Sequence, residues 1–202
     1  MRFRLGPVPD EPGFRPEEGD WVRLREPSTA VMMLCVLPVA ALVTTALVFA
    51  WSRVGIRETT GRIDVVGLAV FLVAGVALLL VHELLHAVAL PRFGSSASTT
   101  LGFWPKWMTP YISHEGELPR GRNILVALMP FLVLSIAPLV ACIIFPPAPL
   151  WAVVLSVLNG IGASADLVAA TLIAVQVPAS GFVRNRAHET WWRTPDTTNA
   201  SN

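Results

Sequence analysis

His82, Glu83 and His86 form an HExxH pattern inside an apolar run, and no other ionisable side chain lies between Val65 and Leu90. On a helix, residues four apart share a face, about one turn of rise from each other. Two imidazoles placed this way suit one zinc ion, and the glutamate between them is positioned to take a proton from water at the metal. A catalytic zinc site ordinarily has a third protein ligand. Across the other long apolar runs of the chain, one charged residue occurs and no histidine: Asp166. Charged groups inside a bilayer are costly and are seldom retained without a partner. All four are of types that ligate zinc or work beside it, so together they point to a metal site.

The elements that must position these residues are membrane spans. The chain has 202 residues, of which 53% are hydrophobic and 14% charged, whereas soluble domains carry about a quarter charged residues. Four apolar stretches, at about 30–51, 65–90, 124–145 and 150–177, exceed the ~20 residues that cross a ~30 Å hydrocarbon core. Backbone polar groups in lipid must be satisfied within their own segment, so each stretch is expected to be a helix. The expected fold is therefore an all-α integral membrane protein with four transmembrane helices. A polar tail at 1–29, rich in proline, is expected to have little regular structure apart from an interfacial segment near 21–24. The membrane domain covers 30–177. A second polar tail follows at 178–202, and its Asn/Thr/Ser-rich end after Arg193 reads as disordered. Residues 98–104 and 108–113, flanking Pro105-Lys106-Trp107, suit either a short β-hairpin or an interfacial cluster of Phe103, Trp104, Trp107 and Tyr111, the cluster being the simpler explanation. The first 26 residues contain no apolar core of a signal peptide. A net charge of +1 with no basic run gives no reason to expect nucleic acid.

Basic residues set the orientation. Five precede the first span. Arg92, Lys106, Arg120 and Arg122 lie between the second and third, and Arg184, Arg186 and Arg193 follow the fourth. The opposite side holds only Arg53, Arg57 and Arg62. This asymmetry predicts a multi-pass plasma-membrane protein with both termini in the cytoplasm. Cys35 and Cys142 form no metal or redox motif and read as buried small hydrophobes. In this topology their depths differ by about 21 Å, which excludes a disulfide.

Depth also tests Asp166 as the third ligand. The second and fourth spans run in the same direction. His82 comes 17 residues after Val65, and Asp166 comes 16 after Leu150. At about 1.5 Å per residue the two groups sit level if the helices pack together. Gly160, Gly162, Ala163, Ser164 and Ala165 are small enough for close approach. Asn159, two turns before Asp166, suits either an amide donor to a substrate carbonyl or a helix–helix hydrogen bond. The bland alternative for Asp166 is a hydrogen bond to Ser156, Thr171 or a backbone carbonyl. Glu115 or Glu117 is the alternative third ligand. His114 reads as a solvated loop residue, and His188 as incidental.

With these residues in view, the chain resembles the site-2 protease class of intramembrane metalloproteases, which pairs HExxH in one span with an Asn…Asp motif in a later one. Here the motif reads Asn159-Gly-Ile-Gly-Ala-Ser-Ala-Asp166. Length, span number and the region from Tyr111 to Glu117-Leu-Pro resemble more closely the zincin peptidase family of small bacterial membrane proteins. The resemblance covers roughly 65–177. It implies Zn2+ held by His82, His86 and Asp166, with Glu83 as general base and Asn159 beside the substrate. Gly160 and Leu167 stand where site-2 proteases usually have proline and glycine. The implied activity is hydrolysis of peptide bonds in a membrane or membrane-associated protein, in a water-filled cavity covered by residues 91–123. The alternative is a non-catalytic metal-binding membrane protein, such as a chaperone or transport accessory. Two imidazoles and a carboxylate suit zinc well, and iron or cobalt stay open as alternatives. Substrate sequence and oligomeric state are not legible.

Overall fold

The apolar stretches fold as the helices their composition demands. A computed structural model of the chain describes residues 1–11, 13–57, 65–187 and 189–195, with the side chains of Thr29 and Trp107 outside the description. Helix α1 is Thr29–Ser52 and α2 is Val65–Ala89. The next apolar stretch is continuous from Arg120 to Ile144 but has three parts: α3 (Arg120–Pro130), a π-helical stretch (Phe131–Ile136) and α4 (Ala137–Ile144). The last is a bent pair, α5 (Leu150–Gly162) and α6 (Ser164–Gln176), meeting at 47°. Gly160, Gly162 and Ser164 crowd the bend, and glycine and serine at close spacing are a usual cause of a kink. Among the described residues, three helices are long and apolar enough to cross a membrane, and the bent pair makes four if it counts as one span.

The expectation of an all-α fold is corrected, because two small sheets cover one end of the helices. The first contains β1 (Arg2–Leu5), β3 (Thr99–Trp104) and β4 (Thr109–His114) in the order β1-β3-β4. The second contains β2 (Val22–Arg23), β5 (Leu118–Pro119), β6 (Phe182–Arg186) and β7 (Glu189–Arg193) in the order β2-β7-β6-β5. The N-terminal tail is thus ordered by partners far along the chain, with Phe3 opposite Leu101 and Val22 opposite Trp192. Strands this short carry too little alternation to announce themselves. Residues 99–114 form the hairpin rather than a simple aromatic cluster, and the Trp107 side chain lies outside the described residues, as do Arg62, His188 and the Asn/Thr/Ser-rich stretch after 195.

These sheets gather the N-terminal tail, the 91–123 loop and the C-terminal hairpin at one end of the helices. At the other, the Arg57 N–H donates to the Ala148 carbonyl at 2.8 Å and the Ala148 N–H to the Gly55 carbonyl at 2.7 Å. Between them, Leu47, Trp51 and Val54 pack with Leu139, Ala148 and Ala152. The small residues before Asp166 act differently from expectation. A Cβ on Gly160 would stand 2.5 Å from Leu47 Cδ1, so this glycine admits α1, not α2. Cys142 is half-buried against the same core, whereas Cys35 is exposed on α1, contrary to the expectation of burial, and both are free thiols. A side chain on a span satisfies its hydrophobicity against lipid as well as in a core.

Tyr111 shows what fastens the tail. Its ring crosses Gly102, where a Cβ would lie 2.0 Å from Cζ, and its hydroxyl donates to the Pro7 carbonyl at 3.0 Å. Gly102→Ala is expected to push the ring off the sheet and cost about 1–3 kcal/mol, the usual scale for overpacking. Limited proteolysis should then cut within residues 1–26 faster than in the parent protein.

Candidate metal centre

The centre is built by α2 and α6, with a supporting acceptor from α3 and another from α5. His82 and His86 sit one turn apart on α2 with their rings edge to face at 5.0 Å. Asp166 lies in the first turn of α6. Its Oδ2 is 3.1 Å from His82 Nε2 and 3.6 Å from His86 Nε2. All three side chains are largely withdrawn from solvent, with exposures of 13%, 12% and 26%. The depth argument from chain position is therefore met by the geometry: one ligand atom from each residue lies within 4.8 Å of the others.

The opposite nitrogens decide how the imidazoles face one another. His86 Nδ1 lies 2.7 Å from the Val126 carbonyl, which can only accept, so Nδ1 carries the proton. That carbonyl is free because its ordinary helical partner would be the N–H of residue 130, and Pro130 has none. His82 Nδ1 lies 2.9 Å from Asn159 Oδ1. The Asn159 amide nitrogen donates to the Pro130 carbonyl at 3.1 Å and to Ser135 Oγ at 2.9 Å, which leaves its oxygen as the acceptor for His82. With both Nδ1 protons engaged outward, neutral imidazoles present two Nε2 lone pairs to a carboxylate oxygen. Such an arrangement repels itself unless a proton or a metal cation lies among the three donors. Donors ~2.0–2.1 Å from one tetrahedral ion stand about 3.3–3.4 Å apart, and the observed separations of 3.1 and 3.6 Å bracket that value. The residues fit zinc.

Behind Asn159 runs a buried polar chain. Ser135 and Ser156 donate to each other's carbonyls at 2.8 and 2.9 Å, and Trp51 Nε1 donates to Ser156 Oγ at 3.0 Å. The π-helical stretch carries Ser135 into this chain, a use typical of such insertions. Both amide hydrogens of Asn159 are thus engaged with the helix beside it, so the expected amide donor to substrate is directed elsewhere. Its removal should loosen His82. Asn159→Ala is expected to lower zinc affinity by ~10–100-fold, the usual penalty for losing a residue that orients a ligand, as read by competition with a chromophoric chelator.

Glu83 faces a cavity of about 260 Å³ that it lines with His86 and Asp166. Since a water occupies ~30 Å³ of liquid, this space admits several, and it resolves how water reaches a site among apolar helices. Ile112, on β4, lines the same cavity as Glu83. Arg122, on α3, donates to the carbonyl of Ala89, the last residue of α2, and to that of Leu90 just past it at 3.0 Å, which fixes the end of the helix carrying the motif.

The other candidates are placed apart from the three donors. Glu115 pairs with Arg2 at 2.6 Å and Glu117 with Arg193 at 3.0 Å, so neither replaces Asp166. Ser156 and Thr171 bond backbone carbonyls rather than Asp166. His114 also lines the cavity, 3.2 Å from Thr99 Oγ1, and burial holds its imidazole below the ordinary value against the pull of Glu11 and Glu115. The wall that sequence reasoning missed is the C-terminal hairpin: Val183, Arg184 and Asn185 line the cavity. Arg184 is held there by a two-pronged ion pair with Glu11, one contact at 3.1 Å, and lies 4.2 Å over the Phe14 ring. Residues 182–186 read Phe-Val-Arg-Asn-Arg, with no alternation to announce the strand.

A protein-family model described as "Putative zincin peptidase" matches residues 75–181, more than half of the chain, and the matched segment includes the HExxH residues, Asn159 and Asp166. No curated protein and no solved structure matches the chain.

Proposed function

The chain belongs to the zincin peptidase family so described, and we propose that it is a membrane-embedded zinc metallopeptidase that cleaves a membrane or membrane-associated protein. The observation that carries this reading is the convergence of two imidazole Nε2 atoms and one carboxylate oxygen, with both Nδ1 protons held outward, beside a glutamate in a cavity that admits water. His82, His86 and Asp166 hold the ion, and zinc supplies a Lewis-acidic centre that acidifies water and polarises a carbonyl. Glu83 takes the proton of the attacking water and later gives it to the leaving amine. Asn159 positions His82 rather than touching substrate.

The edge of β4 supports the substrate class. β3 pairs with one edge of β4, and Tyr111, Ile112 and His114 of β4 line the cavity. Alternation leaves Ile112 and His114 with backbone groups directed away from β3, where an extended peptide adds as a further strand. A chain held there passes Glu83. The excess of basic residues at the sheet end supports a cytoplasmic position for that end and both termini.

The test uses the full chain in liposomes with a membrane-anchored peptide library as substrate. A zinc chelator is expected to abolish cleavage, and stoichiometric Zn2+ to restore it. Cleavage that persists at full rate after the metal has been stripped, verified by elemental analysis, would refute the assignment.

A further inference from the structure

The three-stranded sheet has two unlike faces. Side chains alternate across a strand, and the pairing Phe3–Leu101–Ile112 and Leu5–Phe103–Pro110 puts six apolar residues on one face. Arg2 and Arg4 project from the other, where the Arg2 guanidinium folds back onto the Ala97 carbonyl and Glu115. The apolar face is not covered by the chain at its outer strand, since Phe3 is 80% and Leu5 76% exposed. Single exposed hydrophobes need no explanation, but two on a continuous apolar face do.

Depth identifies what covers them. β4 packs against α2, with Ile112 lining the same cavity as Glu83, and Glu83 comes six residues before Ala89, the last residue of α2. At 1.5 Å per residue Glu83 lies about 9 Å before the helix end, so the Ile112 end of the row stands beside α2 on the side of the membrane interior. The neighbouring surface is of the same kind: Leu84 and Val88 on α2 are 45% and 41% exposed, and Phe93, just past the helix, is 78% exposed. A strand with apolar residues on one side and arginines on the other, at the level of a helix end, has the design of an element lying in a bilayer interface.

We propose that β1 is a lipid-binding strand, and that the apolar face of β1-β3-β4 rests in the boundary between headgroups and acyl chains beside α2. The bilayer then supports β4 over Glu83 from the side opposite the second sheet. The proposal rests on α2 crossing the membrane and is independent of peptidase activity.

The test places an environment-sensitive nitrobenzoxadiazole label on single cysteines at positions 3, 4, 5 and 72, in full chains carrying Cys35→Ala and Cys142→Ala. Each is reconstituted in phosphatidylcholine liposomes, with or without brominated acyl chains, and probed with aqueous iodide. Leu72, 60% exposed in the middle of α2, reports the span itself. Labels at 3, 5 and 72 are expected to lose emission in brominated lipid and to ignore iodide, whereas the label at 4 is expected to do the reverse. Quenching of 3 and 5 by iodide, as at 4, overturns the proposal. So does protection of 3 and 5 from both quenchers, which assigns the face to a protein partner. Failure of lipid to quench position 72 removes the membrane reading of α2 along with it. Positions 3 and 5 are independent exposed sites, so if one variant elutes as aggregate the other decides.

Discussion

A Glu83→Gln protein is expected to keep stoichiometric zinc while its hydrolysis of a membrane-anchored peptide falls by ~10²–10⁴-fold, the range that a positioned general base contributes. The amide preserves the size and shape of the side chain that lines the cavity, so the cavity wall stays in place. What is lost is the ability to take a proton from water. The paired measurement, zinc by elemental analysis and turnover by peptide release, separates the two functions that the motif allows. A protein that only stores or delivers metal has no use for the glutamate, and full retention of its activity after this exchange would assign it to that class.

The second large effect is expected at Asp166. Removal of one of three ligands from a site whose folded zinc complexes are worth ~10–16 kcal/mol with a full ligand set should weaken binding by more than about 100-fold. Asp166→Ala is then expected to purify without stoichiometric zinc and without detectable cleavage. Asp166→Asn is the sharper variant, since it keeps the shape of the side chain and removes only the charge that faces the two imidazoles. Retention of tightly held zinc in both variants would mean that the third ligand lies elsewhere. Glu115 and Glu117, already engaged with Arg2 and Arg193, would have to move to supply it.

The two ligand sources were legible in the sequence because helices convert residue number into depth. His82 and Asp166 are counted from the start of their spans, and the regular rise brings them level even though the fourth span bends at Ala163. Charge asymmetry was equally readable, and the polar segments it groups do share one end of the helices. Sheets are different. Pairing of Val22 with Trp192 or of Phe3 with Leu101 depends on partners that no local pattern names, so the first 26 residues read as a tail. Hydrogen-bond direction was hidden for a similar reason. Asn159 was seen near the site, but that its oxygen and not its amide faces His82 follows from Ser135 and the Pro130 carbonyl on another helix. The freed Val126 carbonyl was encoded four residues ahead of Pro130 and becomes meaningful only once His86 is beside it.

The pairing of β2 with β7 also orders events during synthesis. A ribosome delivers HExxH to the membrane with α2 long before it makes α6, and Val22 is made long before Trp192, its partner. Until then the nascent chain holds two histidines and a glutamate with no carboxylate opposite them, and the cavity lacks the wall that Val183 and Arg184 provide. The ligand set and its enclosure are completed by the same late segment. A half-made chain therefore carries an incomplete donor set and an open cavity.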